Sequence, residues 1–246
     1  MVPVSLVVLF NCLIPGSGWV FLKRYWYAAA SQLLLICLVV SLCWSRWIFT
    51  PVGFALLFIG IGFLHFLSGV GNAVFLLRHS LKPELRNPLR AGLAAAVFCL
   101  GTVGLMAMGF VFKDRWLGIH LYFIPSPSMV PALFPGDIIL VDTWAYKNHA
   151  PQLGDIVIFS SNAHEGVLVK RIQSWPPEMG GEGITRDGKY FVMGDNRRDS
   201  IDSRRFGGIS STDIQGKVVL IVFSLEADLH LRAGRWLKYP AGLGEG

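Results

Sequence analysis

The hydropathy pattern of this 246-residue chain changes character near residue 119. Before that point four apolar stretches follow one another, at about 2–22, 27–45, 51–77 and 91–112. Crossing a bilayer takes roughly 20 apolar residues, so the third and fourth stretches qualify easily and the second qualifies at its full length. The first holds no charge before Lys23 and is interrupted by Pro15-Gly16-Ser17-Gly18, which predicts a bent span or a re-entrant piece. It lacks the basic start of a cleavable targeting segment, and the formal Ala28-x-Ala30 opens a new apolar run. Beyond Ile119 the runs become short, rich in Val, Ile and Phe, and punctuated by Gly, Pro and Asp. They read as strands at Leu121–Ile124, Asp137–Val141, Asp155–Ser160, Gly166–Ile172, Tyr190–Met193 and Lys217–Phe223. No helix of useful length is predicted between them.

The expected architecture is therefore a membrane-anchored protein: an N-terminal bundle of three or four transmembrane helices, then a mostly β catalytic domain. The expected boundaries are 1–113 for the helical region, 114–225 for an extracytoplasmic β-rich domain, and 226–246 for a C-terminal tail. The segment Trp175–Lys189, rich in Pro, Gly and Glu, reads as an exposed loop. The tail carries Arg232, Arg235, Trp236 and Lys238 and reads as a solvated end of the chain.

Composition supports this division: 53% of residues are hydrophobic and only 15% charged. The net charge of +6 suggests nucleic acid until its distribution is considered. Lys23, Arg24, Arg46, Arg78, Lys82, Arg86 and Arg90 stand against Glu84 alone in residues 1–112, whereas residues 113–246 balance fifteen bases with fifteen acids. The excess thus flanks apolar segments and sets orientation; no basic stripe remains to meet phosphates, which excludes nucleic-acid binding. The crowded loop 78–90 and the Lys23-Arg24 turn are expected in the cytoplasm, which places everything after Lys113 outside. Cys12, Cys37, Cys43 and Cys99 all lie in apolar segments and read as packing residues, leaving no thiolate metal site. His65, within the third stretch, reads as a neutral histidine bonded between helices.

Three clusters in the exported half carry candidate chemistry. Ile124-Pro125-Ser126-Pro127-Ser128-Met129-Val130-Pro131 fixes a rigid backbone around two serines. A serine hydroxyl is a weak nucleophile that needs a base within hydrogen-bond reach. His120, His149, His164 and His230 are the available histidines, and none has a triad setting. The second cluster, Val167-Leu168-Val169-Lys170-Arg171-Ile172, puts a lysine in an apolar strand, where burial favours the neutral amine. A lysine reaching out from an edge strand is the competing reading. The third, Gly194 through Arg204, interleaves Asp, Arg and Ser as a loop braced by its own ion pairs.

Together the clusters resemble the type I signal peptidases, a family of Ser/Lys-dyad serine peptidases. The family's S-M-x-P-T-L box is matched by Ser128-Met129-Val130-Pro131-Ala132-Leu133, and its Lys-Arg pair closing a strand by Lys170-Arg171. Its G-D-N-R-x-x-S-x-D-S-R-x-x-G box is met at each fixed position from Gly194 to Gly207, and the strand Gly154–Phe159 resembles the remaining box. The resemblance implies Ser128 as nucleophile, Lys170 as general base and acid, and an oxyanion hole from Ser126 and the Ser128 N–H. It implies Ser200 as the residue orienting Lys170, and Asp195, Arg197, Asp202 and Arg204 as braces. Ile124, Met129, Leu133, Leu168 and Val169 would line apolar pockets for small residues at −1 and −3 of an extended substrate. No cofactor and no metal is expected. The expected partners are signal peptides of preproteins, the lipid bilayer and the secretion translocon, at the inner (cytoplasmic) membrane.

Two positions depart from the boxes: Ala132 stands where the family has Thr, and Pro127 where Gly is commoner. Fewer than twenty residues separate Arg171 from Tyr190, too few for the inserted cap domain of some members. The competing functions are a specialised peptidase of the same family maturing a pilin or conjugation protein, and a scaffold whose peptidase domain has decayed. Joint retention of Ser128, Lys170, Ser200 and Asp202 speaks against decay. A related self-cleaving Ser/Lys repressor would be soluble, which the apolar stretches exclude.

Overall fold

The computed structural model describes residues 4–78, 88–161, 164–174, 187–226 and 228–242. Lys82 and Arg86 of the basic loop, and residues 175–186 of the Trp175–Lys189 loop, lie outside them. The chain forms two compact units, one of helices (residues 1–48 and 52–117) and one dominated by a sheet (residues 49–51 and 118–246).

In the helical unit, α3 (Tyr25–Trp44), α4 (Pro51–Arg78) and α5 (Pro88–Val111) supply three segments long and apolar enough to cross a membrane. Their outward surfaces are lined with exposed Leu, Val, Ile and Phe, as a hydrocarbon solvent requires. The first apolar stretch is instead broken into α1 (Val4–Leu13) and α2 (Ser17–Phe21), each well short of a span. Gly16, at φ +99°, makes the break. The buried Asn11 amide fastens it: Oδ1 accepts from the Gly16 and Gly18 N–H groups, and Nδ2 donates to the Ser68 carbonyl of α4. A polar side chain inside this unit thus satisfies the backbone groups that the Pro15-Gly16 turn leaves open.

The second unit is built on a six-stranded antiparallel sheet in the order β1-β2-β6-β3-β4-β5. Its strands are β1 (Ile119–Phe123), β2 (Asp137–Asp142), β3 (Ile156–Ser161), β4 (His164–Ile172), β5 (Val192–Met193) and β6 (Ile214–Ser224). All six runs expected from the sequence are present, with ends moved by a few residues. The β-branched residues alternate between two apolar clusters. One gathers Ile124, Met129, Leu133, Ile139, Val141, Ile156, Ile158 and Ile221, with Val169 packed against it. The other holds Val157, Phe159, Ile172, Tyr190, Val192 and Ile209, with Leu168 against it. Because β5 pairs only with Arg171 and Ile172, the rest of the outer edge of β4 carries no strand among the described residues.

Residues 228–242 are docked on the sheet rather than standing off in solvent. Lys238 bridges to Ile221, the Leu237 N–H donates to the Val222 carbonyl, and the Arg232 N–H donates to the Ser224 carbonyl. Contacts of two arginines with a buried carboxylate, described below, complete the docking of this segment on the sheet.

Candidate active site

Serine 128 lies in a turn that the preceding prolines prepare. The chain leaves β1 through Ile124, whose N–H and C=O are taken by Asp137 and Gly136. Ser126 is extended, and Pro127–Met129 form one turn of 3-10 helix. Pro127 occupies the first position of that turn, where its missing N–H costs nothing and its fixed φ is already suitable. The departure from glycine there is thus compatible with the local backbone. Ser128 emerges 8% exposed, and its Oγ accepts a 2.8 Å hydrogen bond from Lys170 Nζ. Ser126 Oγ sits 3.2 Å from Ser128 Oγ, on the exposed side.

Lys170 comes from β4, opposite Val157 of β3, and is 3% exposed. Burial lowers its pKa, since an ammonium loses hydration there; Asp202 and Asp195 pull the other way and do not reverse the shift. The strand reading of a lysine reaching out to solvent is therefore excluded.

The loop after β5 supplies the braces. Asp202 is fully buried, and burial alone would raise its pKa. A forked pair from Arg204 (2.8 and 2.9 Å) and the Gly194 N–H (3.0 Å) more than offset this and hold the carboxyl down at about 2. Arg204 also donates to the Arg197 carbonyl, tying the loop across its mouth. Asp195 forks onto Arg171 at 2.9 and 2.8 Å, and so braces the residue beside Lys170 rather than its own loop. Arg197 reaches Gln173 Oε1 at 2.8 Å and the Met193 sulfur.

Ser200 is brought to the site without the expected bond to Lys170. Its Oγ is buried beside Asp202, close enough to favour that carboxylate, yet it completes no well-formed hydrogen bond among the described residues. Gly194 is where the parts converge: a Cβ there would stand 2.3 Å from Ser200 Oγ and 2.5 Å from the Ser128 carbonyl. No side chain larger than hydrogen fits, which explains the glycine that opens this box.

Of the expected pocket residues, Ile124, Met129, Leu133 and Val169 meet in one cluster, whereas Leu168 faces the other side of the sheet. Met129 and Leu133 are 1% and 0% exposed and serve as core under the turn. Sequence reading missed Asn196 as a contact residue. Its N–H donates to the Ser128 carbonyl and its Nδ2 to the Pro127 carbonyl, joining the braced loop to the serine turn. Nothing in its local sequence announces a partner 69 residues away. No group of three His, Cys, Asp or Glu suited to holding a metal occurs among the described residues.

The arrangement is a buried hydroxyl in contact with a buried amine of lowered basicity, which is the apparatus of amine-assisted acyl transfer. A family model described as "Signal peptidase, peptidase S26" matches residues 95–180 and 177–223, more than half of the chain. The probable signal peptidase I-1 of Synechocystis sp. is 28% identical over 154 residues, covering 48% of this chain and 79% of that protein. Signal peptidase I P of Bacillus subtilis subsp. natto is 26% identical over 166 residues, 52% of this chain and 90% of its own length. The mitochondrial ATP-independent inner membrane protease subunit 1a of Arabidopsis thaliana is 31% identical over 127 residues, 46% and 75% respectively. With the helices long enough to span a bilayer, these matches show that the chain is a membrane protein belonging to the signal peptidase family, peptidase S26.

Proposed function

We propose that this protein removes N-terminal signal peptides from exported preproteins, cutting after small-x-small sites with Ser128 as nucleophile and Lys170 as its base. The observation that carries this reading is the 2.8 Å contact between Ser128 Oγ and Lys170 Nζ, both buried. In the neutral form Lys170 takes the Ser128 proton as Oγ adds to the scissile carbonyl, forming a C–O bond. The oxyanion is met by the Ser128 N–H and the Ser126 hydroxyl. The Lys170 ammonium then returns its proton to the departing amine as the C–N bond breaks. Water, deprotonated by the same amine, hydrolyses the ester and frees Ser128.

An extended substrate adding along the outer edge of β4, which carries no strand beyond Arg171 and Ile172 among the described residues, would satisfy main-chain groups there and place its scissile bond near Lys170. The catalytic unit works on the extracytoplasmic face of the cell inner membrane, where preproteins leave the translocon. Relatives named as signal peptidases favour general signal-peptide removal over maturation of a single pilin or conjugation protein.

Incubation of the detergent-solubilised protein with a preprotein carrying Ala at −3 and −1 tests this. A single cut after the −1 alanine is expected, lost with Ser128→Ala in the enzyme and with Phe at −1 in the substrate. Cutting elsewhere, or cutting that tolerates Phe at −1, would contradict the assigned specificity.

A further inference from the structure

Asp137, the first residue of β2, is fully buried, and a carboxylate in that position must be paired or be very costly. Its partners come from the far end of the chain. Arg235 Nη2 lies 2.6 Å from Asp137 Oδ2, and Arg232 Nη1 stands 3.7 Å from Oδ1. The same carboxylate accepts from the Phe134 N–H at 2.8 Å. Arg235 makes a second contact, from Nη2 to the Ala132 carbonyl at 3.0 Å, and its guanidinium covers the Phe134 ring at 4.4 Å. One side chain thus holds both ends of the turn from 132 to 137. That turn is continuous with the nucleophile, since the Leu133 N–H donates to the Met129 carbonyl at 2.8 Å.

Before Ser128 the backbone is held by Asn196 Nδ2 on the Pro127 carbonyl, and at Ser128 itself by the Asn196 N–H on its carbonyl; after it the chain runs into the segment that Arg235 grips. Residues 226–242 lie beyond the matched family region, which ends at residue 223. Gly136 fixes the seat of this contact: at φ +92° a Cβ would collide with the Leu225 carbonyl, so only glycine lets the turn approach the end of β6. Arg232 differs from Arg235 in one useful respect. It binds the Pro135 carbonyl and Ser224 Oγ and has no bond to the 128–133 segment.

We propose that Arg235 is a positioning residue for the reaction, the C-terminal segment acting as a strap that keeps Ser128 in register with Lys170. This rests on the reading of Ser128 as nucleophile. A displacement of about an ångström at a reacting group costs about a hundredfold in rate, so losing one fastening should cost less than that but remain measurable.

The test is steady-state cleavage of a preprotein by the full-length protein, expressed per folded molecule, alongside thermal unfolding. Arg235→Lys retains a charge for Asp137, but its Nζ ends one bond short of the Nη2 position from which both the Asp137 and Ala132 contacts are made, and it has no planar face to lay over Phe134. It should stay folded while kcat falls about tenfold with KM held within about twofold. Arg235→Ala should lose more, and ethylguanidinium should restore part of its kcat. Arg232→Ala should lower the unfolding temperature with kcat nearly unchanged. The proposal is overturned if the Arg235→Lys protein has wild-type kcat, or if Arg232→Ala lowers kcat as far as Arg235→Ala. Should Arg235→Ala not fold, Arg235→Lys alone decides between these outcomes. Ser128→Ala in the same assay separates the two claims: retained cleavage removes the nucleophile, whereas an inactive Ser128→Ala beside unaffected Arg235 variants removes only the strap.

Discussion

Lys170 can take a proton from Ser128 only as the neutral amine, and burial is what shifts the balance toward that form. The sign of the consequence for stability is definite. An unfolded lysine titrates near 10.4, and the folded value lies below it. Between the two the unfolded chain binds more protons, so Lys170 destabilises the fold at neutral pH and this burden lifts as pH rises through that window. Lys170→Met should therefore unfold at a higher temperature than wild type near pH 7. The difference should shrink toward about pH 10, and an unchanged gap across that range would show that the amine is neither buried nor shifted. For the oxyanion, Ser126→Ala should lower kcat by about 10²–10³ with KM nearly unchanged, measured on a preprotein. A loss confined to KM would make Ser126 a substrate contact. These two serines and the lysine were legible in the sequence because prolines and an apolar strand frame them. Asn196 and the pairing of Asp195 with Arg171 were not, since each depends on which strand ends meet in the sheet.

At the scale of elements, the loop from Gly194 to Gly207 leaves most of its charges exposed and buries one, Asp202. Asp202 contributes stability above its ordinary carboxylate range, and this is lost as pH falls from about 4 toward about 2. Asp202→Asn removes the ion pair with Arg204 and weakens the acceptor for the Gly194 N–H. The variant should unfold at a lower temperature at pH 7, and its unfolding temperature should fall less steeply between pH 4 and 2. Parallel melting curves for both proteins across that interval would rule Asp202 out as the acid-sensitive brace. The strands were readable because period-two alternation in β2, β3 and β4 survives in a two-faced sheet. The docking of the C-terminal segment was not. Arg232 and Arg235 look like solvated charges until Asp137, about a hundred residues earlier, is seen to be buried with no other cation against it among the described residues. The first apolar stretch was ambiguous for a similar reason, because its path depends on Asn11 finding Ser68 in another helix.

For the molecule as a whole, charge placement and chemistry make a joint claim. The basic loop 78–90 is expected on the cytoplasmic side and the sheet unit outside, where exported substrates arrive. Single cysteines at Ser80 and Asn148, in a background without the native cysteines, give the orientation through an impermeant thiol reagent on intact cells. Labelling of Asn148→Cys but not Ser80→Cys is expected, and the reverse would deny the catalytic unit its substrate. The central claim is that the Lys170 amine is the base for Ser128, and Arg at this position tests it most directly. A guanidinium keeps the charge and much of the length but does not give up its proton in a protein. The measurement is kcat of folded Lys170→Arg on a preprotein with Ala at −3 and −1. The account predicts no cleavage above that of Ser128→Ala, whereas substantial cleavage would remove Lys170 as the base and return the search to the exported histidines.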